Sequence, residues 1–343
     1  MSSVFKNESV MSPDFLPSIL PFRETQVARI AENMESAADG GSGQNTFIFG
    51  PPGIGKTATV RFVFRQFEDE YPGIRAVYVN CWDCNTSIAV MSKITNDLGV
   101  FVPRRGLGKD EVSGKFQEAV GKSKGGVVVC LDEVDQLVNK EPGALYSLIR
   151  LGGPRQLTLV MISNDPHIMS KLENRVTSSL SAEEVEFRSY NIDEMKGILS
   201  ERARTAFSSF ESAAIMLAAN HAIRKGGDVR VGLQCLQRAG RVAEKVGDSR
   251  LLAKHVRDVV SVVKEAKPQI VMKKLNAHEK SIVEIVAKKS PMSFGELFAA
   301  YRKSVEKPSS ERMVQEYVRH LEQAKMIRLS EKKVAGKRMV YAV

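Results

Sequence analysis

The sequence predicts an α/β fold: a parallel sheet covered by helices, then a helical lid, then a basic C-terminal winged helix-turn-helix. Three observations predict it. Short apolar runs alternate with amphipathic stretches from residue 46 to residue 187, the pattern of a parallel sheet with both faces covered. After Tyr190 the strand signals stop and residues 191–264 read as four helices. From Pro268 to Val343 the chain carries 16 Lys+Arg against 8 Asp+Glu, although the whole 343-residue chain has a net charge of only +10. Such a local basic excess is the electrostatic footprint of a nucleic-acid partner.

Taken in order, residues 1–17 are weakly patterned and are expected to form a loosely held arm. A helix follows in RETQVARIAENMESAA and ends at the breakers DGGSGQN. TFIFG, RAVYVN, GVVVCLDEV, LTLVMISN and EEVEF read as strands. SIAVMSKITNDL, EVSGKFQEAVGK and ALYSLIRL read as the helices between them. Gly226-Gly-Asp228 opens the third lid helix, with Asp228 as its cap. The expected domains are an arm (1–17), a base (18–188), a lid (189–265) and a winged helix (266–343).

Composition excludes several classes. No run approaches 18 apolar residues, so no membrane span is expected, and the first residues lack the pattern of a secretory signal. Cys81 and Cys84 form a C-x-x-C without a second pair at zinc spacing, so the four cysteines are expected to be reduced, in a cytoplasmic protein.

The chemistry concentrates in a few segments. Gly50, Pro51, Pro52, Gly53, Ile54, Gly55, Lys56 and Thr57 fit G-x-x-x-x-G-K-[ST] between a strand and a helix, with Ala58 next on that helix. Glycines there let backbone N–H groups wrap phosphate oxygens, and the helix N-terminus adds positive potential. Lys56 would reach the β- and γ-phosphates of ATP, and the Thr57 hydroxyl would ligate Mg²⁺. The strand VVVCL then delivers Asp132 and Glu133 at its C-terminal end. Asp132 would hold Mg²⁺ through water, and Glu133 would polarise the attacking water. Asn164, ending the next strand, could orient that water or the γ-phosphate. Arg175 and Arg230 could clamp phosphate charge. Tyr190 could pack beside adenine, and Arg202 could face the phosphates.

Together, GPPGIGKT, LDE, the Asn164 strand, ENRVTSSL, EFRSY with ILSERARTAF, and GDVRVGLQCLQRAGRVAE resemble the AAA+ replication initiators of the archaeal origin-recognition-complex and cell-division-control type. The resemblance runs from about Leu16 to the C-terminus. LPFRETQ is similar to the family's opening motif, with Phe22 in place of the usual His; Ile54 stands where Thr is usual. It implies that Asn164 is sensor 1, Arg230 sensor 2 and Arg175 an arginine finger offered to a neighbouring subunit. It also implies that Tyr190 and Arg202 contact the nucleotide.

In the C-terminal segment, three helices (AHEKSIVEIVAK, FGELFAAYRK entered through Ser293, SSERMVQEYVRHLEQA) precede two strand signals, KMIRLS and RMVYAV. That order reads as a winged helix, which the resemblance also implies. Ser310, Arg312, Gln315 and Arg319 would face DNA, and Lys332, Lys333, Lys337 and Arg338 would grip phosphates from the wing. Met313, Val314, Tyr317 and Leu321 read as core. The resemblance further implies a DNA contact within the base at about residues 85–109, with Arg104, Arg105 and Lys109 as candidates.

The expectation is an ATP-dependent replication initiator with weak ATPase activity. Its expected partners are duplex origin DNA, the replicative helicase, and a paralogous initiator or further copies of itself on DNA. Two alternatives stay open: a winged-helix branch-migration motor, marked by rapid turnover in a hexameric ring, and a transcriptional regulator that uses ATP only as a ligand.

Overall fold

The computed structural model describes residues 3–103, 106–123, 125–153, 157–261, 275–306, 308–323, 326–330 and 339–342. Two compact units divide the chain at Arg257/Asp258.

In the first unit, β1 (Thr46–Phe49), β2 (Arg75–Asn80), β3 (Val127–Asp132), β4 (Leu157–Ser163) and β5 (Glu183–Glu186) form one sheet in the order β2-β3-β4-β1-β5. All four pairings are parallel. β3 and β4 are buried along their whole length, which is why they read as unbroken apolar runs. The order sets the end of β1 beside the end of β4, with β3 next, so three loops rich in polar groups leave one edge of the sheet together. Ligands of open parallel sheets bind at that edge.

Helices α1 (Glu24–Ala38), α2 (Lys56–Glu70), α3 (Ser87–Asp97), α4 (Lys109–Lys122), α5 (Val134–Lys140), α6 (Ala144–Gly152) and α7 (Asn174–Leu180) cover the sheet. One large core joins β2, β3 and β4 to α3, α4 and α6 through residues such as Val129, Leu131, Leu159, Met91, Phe116 and Leu148. The lid comprises α8 (Ile192–Ala206), α9 (Ser212–Arg224) and α10 (Val229–Lys245), with α11 described over residues 253–261. Asn191 and Glu194 form a reciprocal capping box at the start of α8, and the Asp228 side chain caps α10 as expected.

The arm differs from its expectation, because it is fastened to the lid. Val4, Val10 and Met11 are buried, and Phe5 stacks on Phe207 with ring centroids 4.8 Å apart. Lys6 and Asn7 N–H groups donate to Ala206 O, and Glu8 accepts from Gln237 and Arg241. Alternating apolar residues too few to show a period hid this packing.

The second unit contains α12 (Ala277–Lys288), α13 (Phe294–Ser304) and α14 (Glu311–Gln323) with β6 (Met292–Ser293), β7 (Ile327–Leu329) and β8 (Met339–Ala342). Its strands run antiparallel in the order β6-β8-β7, so a third strand joins the two expected ones. Ser293 caps α13 through a capping box with Glu296. Ile282, Leu297, Tyr301, Val314, Leu321 and Val340 form its core. Met313 is 39% exposed, contrary to expectation; Val318 is buried instead, four residues after Val314 and on the same helix face. Among the described residues, no helix is long and apolar enough to cross a membrane.

Candidate functional site

The phosphate loop follows β1 and turns into α2 at Gly55, whose φ of +93° places it in the left-handed region that glycine tolerates. Lys56, the first residue of α2, is buried. Its ammonium donates to Gly50 O at 2.7 Å, Pro51 O at 2.8 Å and Asn164 Oδ1 at 2.7 Å. Burial outweighs the nearby Glu133 and Asp132 carboxylates and pushes its pKa down to about 8.

One turn boundary away, the Thr57 hydroxyl donates to Asp132 Oδ2 at 2.7 Å. Asp132 is the last residue of β3, and its other oxygen, Oδ1, accepts the Glu133 N–H at 2.9 Å. Glu133 sits at φ +53°, a left-handed conformation that a non-glycine residue holds only when its surroundings enforce it. Its Oε2 accepts from Asn164 Nδ2 at 2.9 Å. Burial, then Asp132 and Asp135, raise the Glu133 pKa above the ordinary glutamate value. A single amide thus touches both the lysine and the glutamate.

A cleft of about 530 Å³ opens over these groups. Pro52, Gly53, Gly55, Lys56, Thr57 and Ala58 line its floor beside Asp132, Glu133 and Asn164, while Arg202, Val229 and Arg230 line it from the lid and residues 13–17 from the arm. The lid touches the loop directly: Val229 N–H donates to Gly53 O at 3.0 Å. Arg230 reaches the cleft in a two-bond pair with Asp228, Nε to Oδ1 at 3.0 Å and Nη2 to Oδ2 at 2.8 Å. That pairing raises the Arg230 pKa.

Two expected residues sit otherwise than expected, and a third, Arg175, lies apart from the cleft. Arg202 does not point its charge at the phosphate loop. It donates instead to three carbonyls of the arm: Val10 O at 2.7 Å, Ser12 O at 2.9 Å and Phe15 O at 3.3 Å. Tyr190 lines the cleft, but the Arg23 guanidinium covers one face of its ring, 3.9 Å from the centroid. Arg175, on α7, lies outside the cleft: it is exposed, pairs with Glu173 at 2.7 Å and sits 5.5 Å over the Tyr146 ring.

The structure adds residues that the sequence reading missed. Tyr78 on β2 donates its hydroxyl to Asp132 Oδ2 at 2.6 Å, under the Arg61 guanidinium, 4.2 Å from the ring centroid. Arg23 is buried at the start of α1 and donates to Ile54 O at 3.1 Å and Arg188 O at 2.9 Å. Its Nε has no hydrogen-bond partner among the described residues. A cation at a helix N-terminus opposes the helix dipole, a signal that this arginine serves another contact. The Ile54 side chain is buried, and its carbonyl is one of the Arg23 acceptors.

In the second unit, Arg312, Gln315 and Arg319 are exposed on the side of α14 away from Val314, Val318 and Leu321, whereas Ser310, also exposed, precedes the helix and its carbonyl accepts the Val314 N–H. Lys109 opens α4 and is exposed. Arg104, Arg105, Lys332, Lys333, Lys337 and Arg338 lie outside the described residues.

Comparison with known proteins agrees with this architecture. Residues 39–169 match the model of an AAA domain, and residues 196–261 match the Cdc6 AAA+ ATPase-type lid domain. The chain is 32% identical to the ORC1-type DNA replication protein 1 of Archaeoglobus fulgidus, over 94% of this chain and 83% of that one. It is 31% identical to the ORC1-type DNA replication protein of Pyrococcus abyssi, over 93% and 82%. Its fold superposes with a TM-score of 0.74 on the Aeropyrum pernix ORC1 protein, solved in complex with DNA, at 29% identity and covering 100% of this chain and 94% of that chain. With a nucleotide-binding base, a Cdc6-type lid and this identity over nearly its full length, the chain belongs to the ORC1-type family of DNA replication proteins, which are AAA+ ATPases.

Proposed function

We propose that the protein binds duplex origin DNA and uses ATP as a conformational switch, with slow hydrolysis resetting it and the replicative helicase as its client. The observation that carries this reading is the meeting of base and lid over the phosphate loop. Lys56, Asn164 and Glu133 form one hydrogen-bonded chain below, and Val229 and Arg230 close from above. A γ-phosphate that replaced the acceptors of Lys56 and drew Arg230 would pull on both sides at once, so its loss would relax both. Ligand-driven change of this kind needs only a difference in affinity between the two arrangements.

The residues also suit magnesium. Thr57 Oγ1 and Asp132 are adjacent hard oxygen donors, and a nucleotide site needs few such protein groups because phosphates and water complete the shell. Magnesium, when bound, would neutralise charge on the β- and γ-phosphoryl oxygens. Lys56 would bind those oxygens, Asn164 would hold the water, and Glu133 Oε2 would take its proton. In this reading Arg175, which is exposed and outside its own cleft, would serve a neighbouring copy or a paralogue bound alongside on DNA. On DNA, Ser310 just ahead of α14 and Arg312, Gln315 and Arg319 on its exposed face would meet the duplex, with Lys332, Lys333, Lys337 and Arg338 from the wing and Arg104, Arg105 and Lys109 from the base. The domain limits 17/18, 188/189 and 265/266 go with this reading.

The test is fluorescence-anisotropy binding to genomic duplex fragments across a salt series, with ATP and with ADP. Selective, salt-sensitive binding that differs between the nucleotides, and that a double substitution Arg312→Ala with Arg319→Ala abolishes, is expected. Binding indifferent to both nucleotide and substitution would reject the proposal.

A further inference from the structure

We infer that Tyr78 is a positioning residue for the metal site: its hydroxyl holds the Asp132 carboxylate so that the Thr57 oxygen faces an incoming cation. The inference rests on the reading of Thr57 and Asp132 as the magnesium site.

Asp132 is almost fully buried, and three donors converge on it. Glu133 N–H binds Oδ1, while the hydroxyls of Thr57 and Tyr78 both bind Oδ2, at 2.7 and 2.6 Å. A hydroxyl that gives its proton to a carboxylate keeps its lone pairs for something else. Thr57, anchored this way, turns its lone pairs toward the cleft. That orientation depends on the carboxylate staying in one rotamer. Thr57 alone cannot ensure this, because its own side chain rotates with its partner.

Tyr78 can ensure it, because its ring is fixed independently. β2 and β3 pair Tyr78 with Cys130 and Asn80 with Asp132, so Tyr78 starts two residues behind the carboxylate it reaches. That offset is about 6.6 Å along the strand. A serine or threonine at this position could not span it, whereas a phenol can. Arg61 lies over the ring at 4.2 Å and stands four residues after Thr57, on the same face of α2. Helix and strand therefore grip the phenol from two sides.

Groups that hold a metal ligand without touching the metal change metal affinity about 10- to 100-fold when removed. The test uses the full chain loaded with ADP, and Mn²⁺ as the probe, with free Mn²⁺ read by electron paramagnetic resonance. Tyr78→Phe keeps the ring under Arg61 and deletes one donor. Its Mn²⁺ affinity is expected to fall about tenfold, while its ADP affinity in EDTA stays within about twofold of the parent's, since the phosphate loop is untouched. Arg61→Met, which frees the ring but leaves the hydroxyl, is expected to weaken Mn²⁺ by a smaller factor and serves if Tyr78→Phe folds poorly. Asp132→Asn is the reference. If Asp132→Asn weakens Mn²⁺ binding and neither Tyr78→Phe nor Arg61→Met does, the role of Tyr78 is overturned. If Asp132→Asn has no effect either, the metal-site reading itself fails. A loss of ADP affinity in EDTA for Tyr78→Phe would show that the tyrosine shapes the phosphate loop and would overturn the inference too.

Discussion

The Lys56 ammonium and the Asn164 side-chain oxygen stand 2.7 Å apart, joining the start of α2 to the end of β4. The same amide donates to Glu133 through its nitrogen, so Asn164 links the cation proposed to bind phosphate to the carboxylate proposed to activate water. Asn164→Ala removes both bonds while leaving Lys56 its two loop carbonyls. Single-turnover hydrolysis of the variant is expected to slow by about 10²-fold, with ADP binding within about threefold of the parent. Equal losses in both would instead make Asn164 a structural support of the loop.

The depressed pKa of Lys56 sets a pH dependence for nucleotide binding. Phosphate oxygens favour the charged ammonium, so binding above pH 8 must draw in a proton that the free protein has released. ADP affinity is expected to be level below about pH 8 and to fall by up to about tenfold per pH unit above it. Calorimetry in buffers of differing ionisation enthalpy should register the proton uptake. For stability the sign is opposite. Between about 8 and the ordinary lysine value the unfolded chain holds a proton that the folded one lacks, so this group's penalty eases as pH rises. An affinity unchanged through that window would show that the buried amine does not titrate there.

At Gly53 the loop meets the lid: its carbonyl accepts the Val229 N–H, and Asp228 lies against its Cα. A Cβ built on it would stand 2.0 Å from the Asp228 carboxylate, and its φ of +74° already disfavours any side chain. Gly53→Ala must therefore swing the Asp228 carboxylate off its α10 cap and Arg230 bonds, or distort the loop itself. Strain of about 1–3 kcal/mol corresponds to a loss of nucleotide affinity of roughly five- to 150-fold. Stopped-flow release of a fluorescent ADP should show it chiefly as faster dissociation.

On the DNA side, Arg319 and Gln315 should separate two kinds of contact. Arg319→Ala is expected to lower the slope of log affinity against log salt by about 0.9 for every duplex alike. Gln315→Ala should leave that slope intact and shrink the gap between preferred and random duplexes by about 1–3 kcal/mol. Identical effects from the two substitutions would mean that α14 does not discriminate bases.

What the sequence disclosed, and what it hid, follows from the range of each signal. The phosphate loop and the Asp132–Glu133 pair were legible because glycine spacing and an acidic strand end are local patterns with one chemical use. Long helices were legible through their period. Tyr78 was not, since its role depends on the β2–β3 register, a relation between residues about fifty apart in the chain. Nor was the Arg202 clamp, whose partners Val10, Ser12 and Phe15 are backbone carbonyls, and any residue can supply a carbonyl. β6, at two residues, is too short to alternate. Met313 misled because a methionine beside a core valine carries no mark of which side of the helix it takes.

The fastening of the arm also bears on how the chain matures as it is made. Val10 leaves the ribosome 192 residues ahead of Arg202, and Ser3 precedes its partner Glu244 by 241. At about 5–20 residues per second, the arm waits on the order of ten seconds or more for the lid to emerge. Its buried apolar side chains, Val4, Val10 and Met11, stay uncovered throughout that interval. The wall of the nucleotide cleft that residues 13–17 provide is thus among the last parts to settle. A nascent base could fold its sheet early and still be unable to enclose ATP until synthesis has passed α10.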